Sequence, residues 1–414
     1  MIQVFFDNFK LVWNSFVSNP LRTLITLLGI VIGTITIIVT MGLFEGLSGK
    51  VEKDFSMMGA DVFSVSKWPM GISFSYDPKM WDKILKAPNL SMEDRRAILS
   101  HCPSVEFVAA YADARGIRLK TTHSQTSASV RLTGATADYI DTGGFQIALG
   151  RFFSEVEELE GARVVVLAAD VVDSLFPLIN PIGQKVRIRE RPYTVIGTLA
   201  RRGKWMGMVN LDNGAMVPMP AFLSSYGLRQ PIILHVKAKS SESFERAQDE
   251  VKRLMWQRRN IKTEDEENFF IGTYESMTRQ LKELSFVVAI STFAVSALSL
   301  LVGGIGILNI MLVAVTERTR EIGLRRALGA RKGRILFQFA SEATVLSLLG
   351  ALLGFGIGLG VSGLIGWVGA FPSQVPLWAI GLALGTSIVV GITFGFYPAL
   401  RASRLNPIEA MRAE

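Results

Sequence analysis

The stretch that decides the fold is residues 284–316, LSFVVAISTFAVSALSLLVGGIGILNIMLVAVT, which contains no ionisable side chain. A helix of about 20 apolar residues crosses the roughly 30 Å hydrocarbon core of a bilayer, because each residue adds about 1.5 Å. The run is longer than one membrane span requires. A buried helix in a globular core is the alternative interpretation of a single run, and the rest of the chain decides between the two.

Two further parts of the chain have the same character. Residues 24–43 carry no charge and are nearly all apolar, and residues 343–400 carry no charge at all. The paired prolines of FPSQVP, residues 371–376, divide the second run, because proline interrupts a helix. We therefore predict four transmembrane helices, over residues 21–44, 284–316, 335–371 and 377–400. A cleaved signal peptide is disfavoured, because the first apolar run is too long and lacks a small-x-small cleavage pattern.

The basic residues predict the orientation of these helices in the membrane. The segments before the first span, between the second and third, and after the fourth hold 12 basic and 5 acidic residues. We therefore place 317–334 and the tail 401–414 in the cytoplasm. Residues 45–283, with 32 basic and 30 acidic residues, and the short turn 372–376 then lie outside. The net charge of +8 reflects this topology, and we expect no nucleic-acid partner.

The segment 45–283 is predicted to be an α+β domain with a stalk helix at each end, where apolar residues recur at helical spacing. Strand-like and helical patterns alternate within it, and a β-rich insert is expected at about 116–218. We interpret residues 68–90 as a loop. The one cysteine, Cys102, excludes an intramolecular disulfide. The predicted fold class is thus membrane α-helical, with four transmembrane helices and an α+β extracytoplasmic domain inserted between helices 1 and 2.

Two cytoplasmic segments show amphipathic patterns. Residues 1–20 place several apolar side chains near one helix face, which is typical of a helix lying on membrane lipid. Residues 317–334 are basic and carry an apolar stripe of Ile322, Leu324, Ala327 and Leu328. Glu321 and Arg325 are spaced as a favourable i, i+4 pair, and Gly329 suits the end of a helix. A docking helix for a partner is one interpretation of this segment; a helix resting on headgroups is the other.

Signatures of catalysis are lacking in the sequence. It contains no G-x-x-x-x-G-K-[ST] phosphate-binding loop, so we predict no ATP site in these residues. The three histidines are scattered without zinc-ligand spacing, and we expect each to be a satisfied surface or core residue. We accordingly predict no catalytic, cofactor-binding or metal-binding residues.

Small and charged residues inside the spans have a separate interpretation. Gly29 and Gly33 are four residues apart, as close approach of two helices requires. Packing within the chain and a dimer interface both fit this spacing. Glu342 is the one carboxylate within a predicted span. We expect it to be structural and paired with Arg331 or Arg334, because a proton relay would need a second intramembrane ionisable group.

Several motifs resemble the MacB/FtsX family of ABC transporter permeases. The most specific is residues 299–330, SLLVGGIGILNIMLVAVTERTREIGLRRALGA, and LTGATADY at 132–139 and YPALRASRLNPIEAM at 397–411 are similar to the family too. Together with the order of one span, a large outer domain and three spans, the resemblance covers nearly the whole chain.

The resemblance implies a non-catalytic, homodimeric permease of a bacterial inner membrane that works by mechanotransmission. A separate ABC ATPase would act on a coupling helix at 317–334, with the ATPase-coupling residues Glu317, Arg320, Glu321, Leu324, Arg325, Leu328 and Gly329. It further implies a periplasmic adaptor (membrane fusion) protein and an outer-membrane channel as partners in efflux. A signal transducer that activates an extracytoplasmic hydrolase and a lipoprotein-release permease remain the alternatives.

Overall fold

The computed structural model describes residues 20–56, 61–69, 78–127, 129–205, 209–263, 267–368 and 373–412. Its helices, in chain order, are α1 Pro20–Ser56, α2 Pro78–Lys86, α3 Met92–His101, α4 Tyr139–Thr142, α5 Glu155–Leu159, α6 Ala169–Leu175, α7 Met219–Tyr226, α8 Phe244–Arg259, α9 Tyr274–Glu317, α10 Thr319–Ala327, α11 Lys332–Trp367, α12 Leu377–Ser403 and α13 Pro407–Arg412. Its strands are β1 Val62–Ser66, β2 Val105–Ile117, β3 Leu119–Lys120, β4 Val130–Ala135, β5 Ile147–Gly150, β6 Val164–Leu167, β7 Lys185–Ile188, β8 Arg191–Leu199, β9 Lys204–Trp205, β10 Val209–Asn210, β11 Gly214–Pro218, β12 Ile233–Ala238 and β13 Phe270–Gly272.

The chain forms two compact units. One comprises the described part of Met1–Leu47 with Leu284–Glu414, and the other is Ser48–Glu283. The boundaries between them fall inside α1 and α9, so both helices contribute residues to both units. The interfacial helix predicted for residues 1–20 lies outside the described residues, apart from Pro20, where α1 begins.

The first unit contains the membrane helices. Within the described residues, four helices are long and apolar enough to cross a bilayer, over Leu24–Lys53, Tyr274–Glu317, Lys332–Trp367 and Leu377–Ser403. Between them lies a core that includes Ile30, Ile307 and Phe339, whereas large apolar side chains such as Phe286 and Leu353 are exposed. An exposed apolar surface on such helices suits lipid. The predicted fold class, four transmembrane helices with an α+β domain between the first and second, is confirmed.

Close packing in this unit depends on small residues. A Cβ atom built on Gly395 of α12 would lie 2.3 Å from the Cβ atom of Ala343 on α11, so only glycine permits this approach. Gly381 and Gly385 are also four residues apart, like Gly29 and Gly33, but a Cβ atom built on either would have no other atom within 4 Å. The four-residue spacing therefore does not distinguish glycines that pack against another helix from glycines that have no neighbour.

The second unit is built on a mixed sheet with the strand order β13-β1-β12-β2-β4-β11-β6-β8-β7-β3, and β5 pairs with β8. The β4–β11 and β6–β8 pairs are parallel and the others are antiparallel. Most strands of the expected insert at 116–218 belong to this same sheet, where β4 pairs with β2, whereas β9 and β10 form a separate two-stranded sheet.

Both faces of the sheet are packed, as alternation along β2 demonstrates. Val108 and Ala110 belong to a core that includes Ile98 of α3 and Phe222 of α7. Ala109 belongs to a second core with Tyr139 of α4. Because successive residues of a strand point to opposite faces, the two cores lie on opposite sides of the sheet.

The loop expected at 68–90 is wrong in part, because α2 occupies Pro78–Lys86. A proline at the first helical position is favourable, since its missing N–H has no intrahelical role there. Ile84 of this helix is buried. Residues 70–77 of the expected loop lie outside the described part of the chain.

Candidate coupling site

The segment between α9 and α11 forms a short, well-defined helix, α10. Arg318 alone separates it from α9, and the Thr319 hydroxyl donates to the carbonyl of Val315 at 3.0 Å. At the other end Gly329 has φ +95°, a conformation that glycine adopts without strain. The N–H of Gly329 donates to Arg326 and that of Ala330 to Arg325, which is the Schellman pattern of helix ends.

The predicted apolar stripe divides into a covered and an uncovered part. Ile322 is buried, and the neighbouring Gly323 is also buried. A Cβ atom on Gly323 would lie 2.6 Å from that of Ala410 on α13. Ile322 is therefore not available to a partner, because the core of the membrane unit and α13 enclose this side of α10.

The uncovered part of the stripe faces away from the unit. Leu324 is 54% exposed and Leu328 is 82% exposed, and Ala327 is exposed too. Exposed apolar side chains grouped on a helix that is fixed from behind are typical of a contact surface.

A polar network fixes α10 to α11. Glu321 pairs with Arg325, as the i, i+4 spacing predicts. Arg325 also donates to Gln338 Oε1 at 3.0 Å, and Gln338 Nε2 lies 3.5 Å from Glu342 Oε1. Arg318 is the last member of the network, and its Nη1 lies 3.5 Å from Glu342 Oε2. A displacement of α10 would therefore act on α11 through side chains that are already in contact.

The expected partners of Glu342 were wrong. Arg318 takes the place predicted for Arg331 or Arg334. The Glu342 side chain is 6% exposed, so a charged partner and an amide donor are what stabilise it there.

A concave pocket of about 680 Å³ lies beside this network. Its lining consists of Glu317, Arg318, Arg320, Glu321 and Leu324. An apolar side chain next to charges of both signs can accept a partner helix with its own apolar and charged residues. Most of the predicted coupling residues thus lie together, whereas Gly329 acts at the helix end and Leu328 lies beyond the concavity.

Gly29 and Gly33 face α9 of the same chain. A Cβ on Gly29 would lie 2.8 Å from the backbone nitrogen of Gly303, and one on Gly33 would lie 3.0 Å from Leu300 Cγ. Both positions therefore lie where α1 and α9 of this chain pack together.

Three residues of the site were missed from the sequence. Arg318, Gln338 and Ala410 were not among the predicted site residues, although Arg318 contacts Glu342, Gln338 contacts Arg325, and Ala410 packs on Gly323 of α10. The four-residue spacing of Gln338 and Glu342 is the one local signal that could have been read. In the part of the chain that the structure describes, no group of three His, Cys, Asp or Glu side chains could hold a metal ion.

Comparison with protein families gives two matches. Residues 23–254 match the MacB-like periplasmic core domain, and residues 293–407 match the FtsX-like permease C-terminal domain. The second match includes all of α10 and its partners on α11.

Individual relatives agree with these matches. The chain is 33% identical over 446 aligned positions to the macrolide export ATP-binding/permease protein MacB of Rhodopirellula baltica, covering 97% of this chain and 62% of that protein. It is 28% identical to the uncharacterized ABC transporter permease YknZ of Bacillus subtilis, covering 99% of both. The chain thus spans about three fifths of the MacB relative. The periplasmic region of MacB from Actinobacillus actinomycetemcomitans is a solved structural neighbour, with 20% identity, a TM-score of 0.46, and coverage of 56% of this chain and 98% of that one.

Proposed function

This chain belongs to the MacB/FtsX family of ABC transporter permeases, and from this premise we propose that α10 is the coupling helix on which an ABC ATPase acts. The family makes the chain a multi-pass membrane protein with a periplasmic-type domain. We propose that this membrane is the bacterial inner membrane, and that the permease forms a homodimer in it.

The exposed apolar side of α10 carries the proposal. Burying Leu324 and Leu328 in a partner groove would contribute about 1.5–3 kcal/mol each. Glu317, Arg320 and Glu321 border the concave surface beside Leu324, where they would orient the partner by charge. Arg325 would pass the motion to α11 through Gln338.

ATP hydrolysis is assigned to a separate partner subunit. The 414 residues contain no phosphate-binding loop. We therefore propose a non-catalytic role for this chain, without a cofactor or metal of its own.

The output of the system is proposed to be export by mechanotransmission. The MacB relative is named for macrolide export, and from this we propose efflux of a substrate through a periplasmic adaptor protein and an outer-membrane channel. Motion would pass along α1 and α9, because each helix continues from the membrane unit into the extracytoplasmic one.

The test is the variant Leu328→Asp, reconstituted with the ATPase that copurifies with this chain. A carboxylate in an apolar groove is strongly disfavoured, so we expect ATPase binding to weaken at least ten-fold and stimulated ATP turnover to fall. Leu228→Asp is the matched control, because Leu228 is also 82% exposed but lies in the other unit.

The readouts are copurification, ATP turnover in liposomes and substrate transport, each with folded and inserted protein. The permease without its ATPase should show no turnover. If Leu328→Asp retains wild-type complex formation, turnover and transport, α10 is a helix resting on headgroups and the proposal is wrong.

A further inference from the structure

A cavity of about 260 Å³ lies on one face of the sheet in the extracytoplasmic unit. Its floor is formed by side chains of β2, β4, β11 and β12, and residues around α4 and β10 border it. None of the coupling residues belongs to it. The inference drawn from this cavity therefore does not depend on the proposed function.

One half of the cavity is a cluster of rings. The Tyr111 ring centroid lies 4.7 Å from that of Tyr139 and 5.0 Å from that of His235. Phe145 continues the cluster, 5.5 Å from Tyr139. Rings at such distances offer a flat apolar ligand both faces and edges to contact.

A buried polar atom has no partner at this cavity. His235 is 3% exposed, and within the described residues its Nδ1 has no hydrogen-bond partner. Burial lowers the pKa of His235 to about 4, against a hydrogen bond to the backbone of Thr142. The imidazole is therefore neutral at pH 7. The neutral ring of His235 thus belongs to the apolar half of the cavity wall, with its unsatisfied nitrogen buried behind the surface.

The other half of the cavity is charged, with an excess of cations. Arg115, Arg131 and Arg202 line it together with one carboxylate, Asp113. Asp113 accepts a hydrogen bond from Thr133 at 2.6 Å, and burial raises the pKa of its carboxyl group. This side of the cavity therefore carries a net positive charge, which favours an anion over a cation.

Two of the arginines are held in place by the walls. Arg131 donates to the carbonyl of Asn210 at 3.0 Å. The guanidinium of Arg202 lies 4.6 Å from the Phe145 ring centroid and donates to the carbonyl of Gly143 at 2.8 Å. A guanidinium has five N–H donors, so this contact does not use the full capacity of Arg131. Fixed guanidinium groups suit a planar carboxylate.

We propose that this cavity binds a small organic acid with one apolar ring, whose carboxylate pairs with Arg131 and whose ring lies against Tyr111 and Tyr139. The volume fits a single ring, because pockets for drug-sized ligands are typically about 300–1,000 Å³. A ring-bearing amine of the same size is disfavoured by the three arginines.

The test compares three probes that share one ring and differ in charge, namely benzoate, benzyl alcohol and benzylamine. Binding to the full chain in detergent is measured at pH 7 by saturation-transfer NMR, against protein-free micelles as the blank. We expect the strongest saturable binding for benzoate and the weakest for benzylamine. Equal binding of benzoate and benzylamine would overturn the proposal.

Two substitutions that change the charge of the cavity in opposite directions identify the site. Arg131→Gln should weaken benzoate binding at least ten-fold, and Asp113→Asn should strengthen it, because each changes the local charge by one unit. Arg163→Gln, an exposed arginine outside the cavity, is the control and should leave binding unchanged. Stronger benzoate binding by Asp113→Asn cannot result from misfolding. If Arg131→Gln and Asp113→Asn both fold and bind benzoate with unchanged affinity, the assignment is refuted.

Discussion

Glu342 is a carboxylate within a helix that is otherwise uncharged over its membrane-spanning part. Such a group is costly in hydrocarbon and is retained where a partner compensates its charge. Arg318 and Gln338 provide that compensation from the loop side. Glu342 is therefore part of the connection between α10 and α11, and its ion pair with Arg318 forms one end of the polar network.

Glu342→Gln should destabilise the protein by about 1–3 kcal/mol, because it leaves the charge of Arg318 without its partner. Arg318→Gln should have a similar effect for the same reason. The double variant should lose clearly less unfolding free energy than the sum of the two single losses, as expected of groups in direct contact. Thermal unfolding in detergent measures this, and strictly additive losses would argue against the ion pair.

At the scale of elements, α10 owes its position to packing on its buried side. Ile322 lies in the core of the membrane unit, and Gly323 allows α13 to approach. The tail is thus part of the candidate coupling site, since α13 packs against α10 at Gly323.

Gly323→Ala should lower the melting temperature, because the added methyl group would lie 2.6 Å from the Cβ of Ala410 and α13 would have to move. Alanine otherwise stabilises a helix interior over glycine by about 0.5–1 kcal/mol. The control Gly333→Ala, with no atom within 4 Å of the new Cβ, should therefore not lower it. Adding Ala410→Gly should restore most of the loss, and a Gly323→Ala variant as stable as wild type would contradict the contact.

The elements differ in how well the sequence predicted them. The membrane helices were predictable because long uncharged runs have few alternative structures. The helix α2 was missed because it is short and its first residues follow a stretch rich in proline, methionine and aromatic residues. The exposure of Leu328 against the burial of Ile322 could not be predicted, since it depends on α13, about 80 residues away in sequence.

The cavity was likewise not predictable from the sequence. Tyr111, Arg131 and His235 come from three strands that meet only through non-local pairing. In the sequence His235 was interpreted as a satisfied histidine, because nothing near it in the chain indicates an unpaired ring nitrogen.

At the scale of the whole molecule, the charge distribution and the fold predict on which side of the membrane each unit lies. The basic segments surround α10 and α13, whereas the mixed sheet belongs to the unit between the first two spans. The proposed function needs that separation, because ATP is available in the cytoplasm and the proposed adaptor would act on the other side of the membrane. The topology can be tested independently of any partner.

A cysteine at Ser240 should react with a membrane-impermeant maleimide in intact spheroplasts, and one at Gly333 should react only after lysis. Both positions are exposed, so accessibility depends on the side of the membrane. Wild type is the blank, because its one cysteine, Cys102, is 3% exposed. Burial raises the pKa of the Cys102 thiol to about 11, so at pH 8 it is mostly the unreactive thiol, whereas an exposed cysteine has a pKa of about 8.5. Labelling at Gly333 but not at Ser240 in intact cells would invert the topology, and α10 could then not meet a cytoplasmic ATPase.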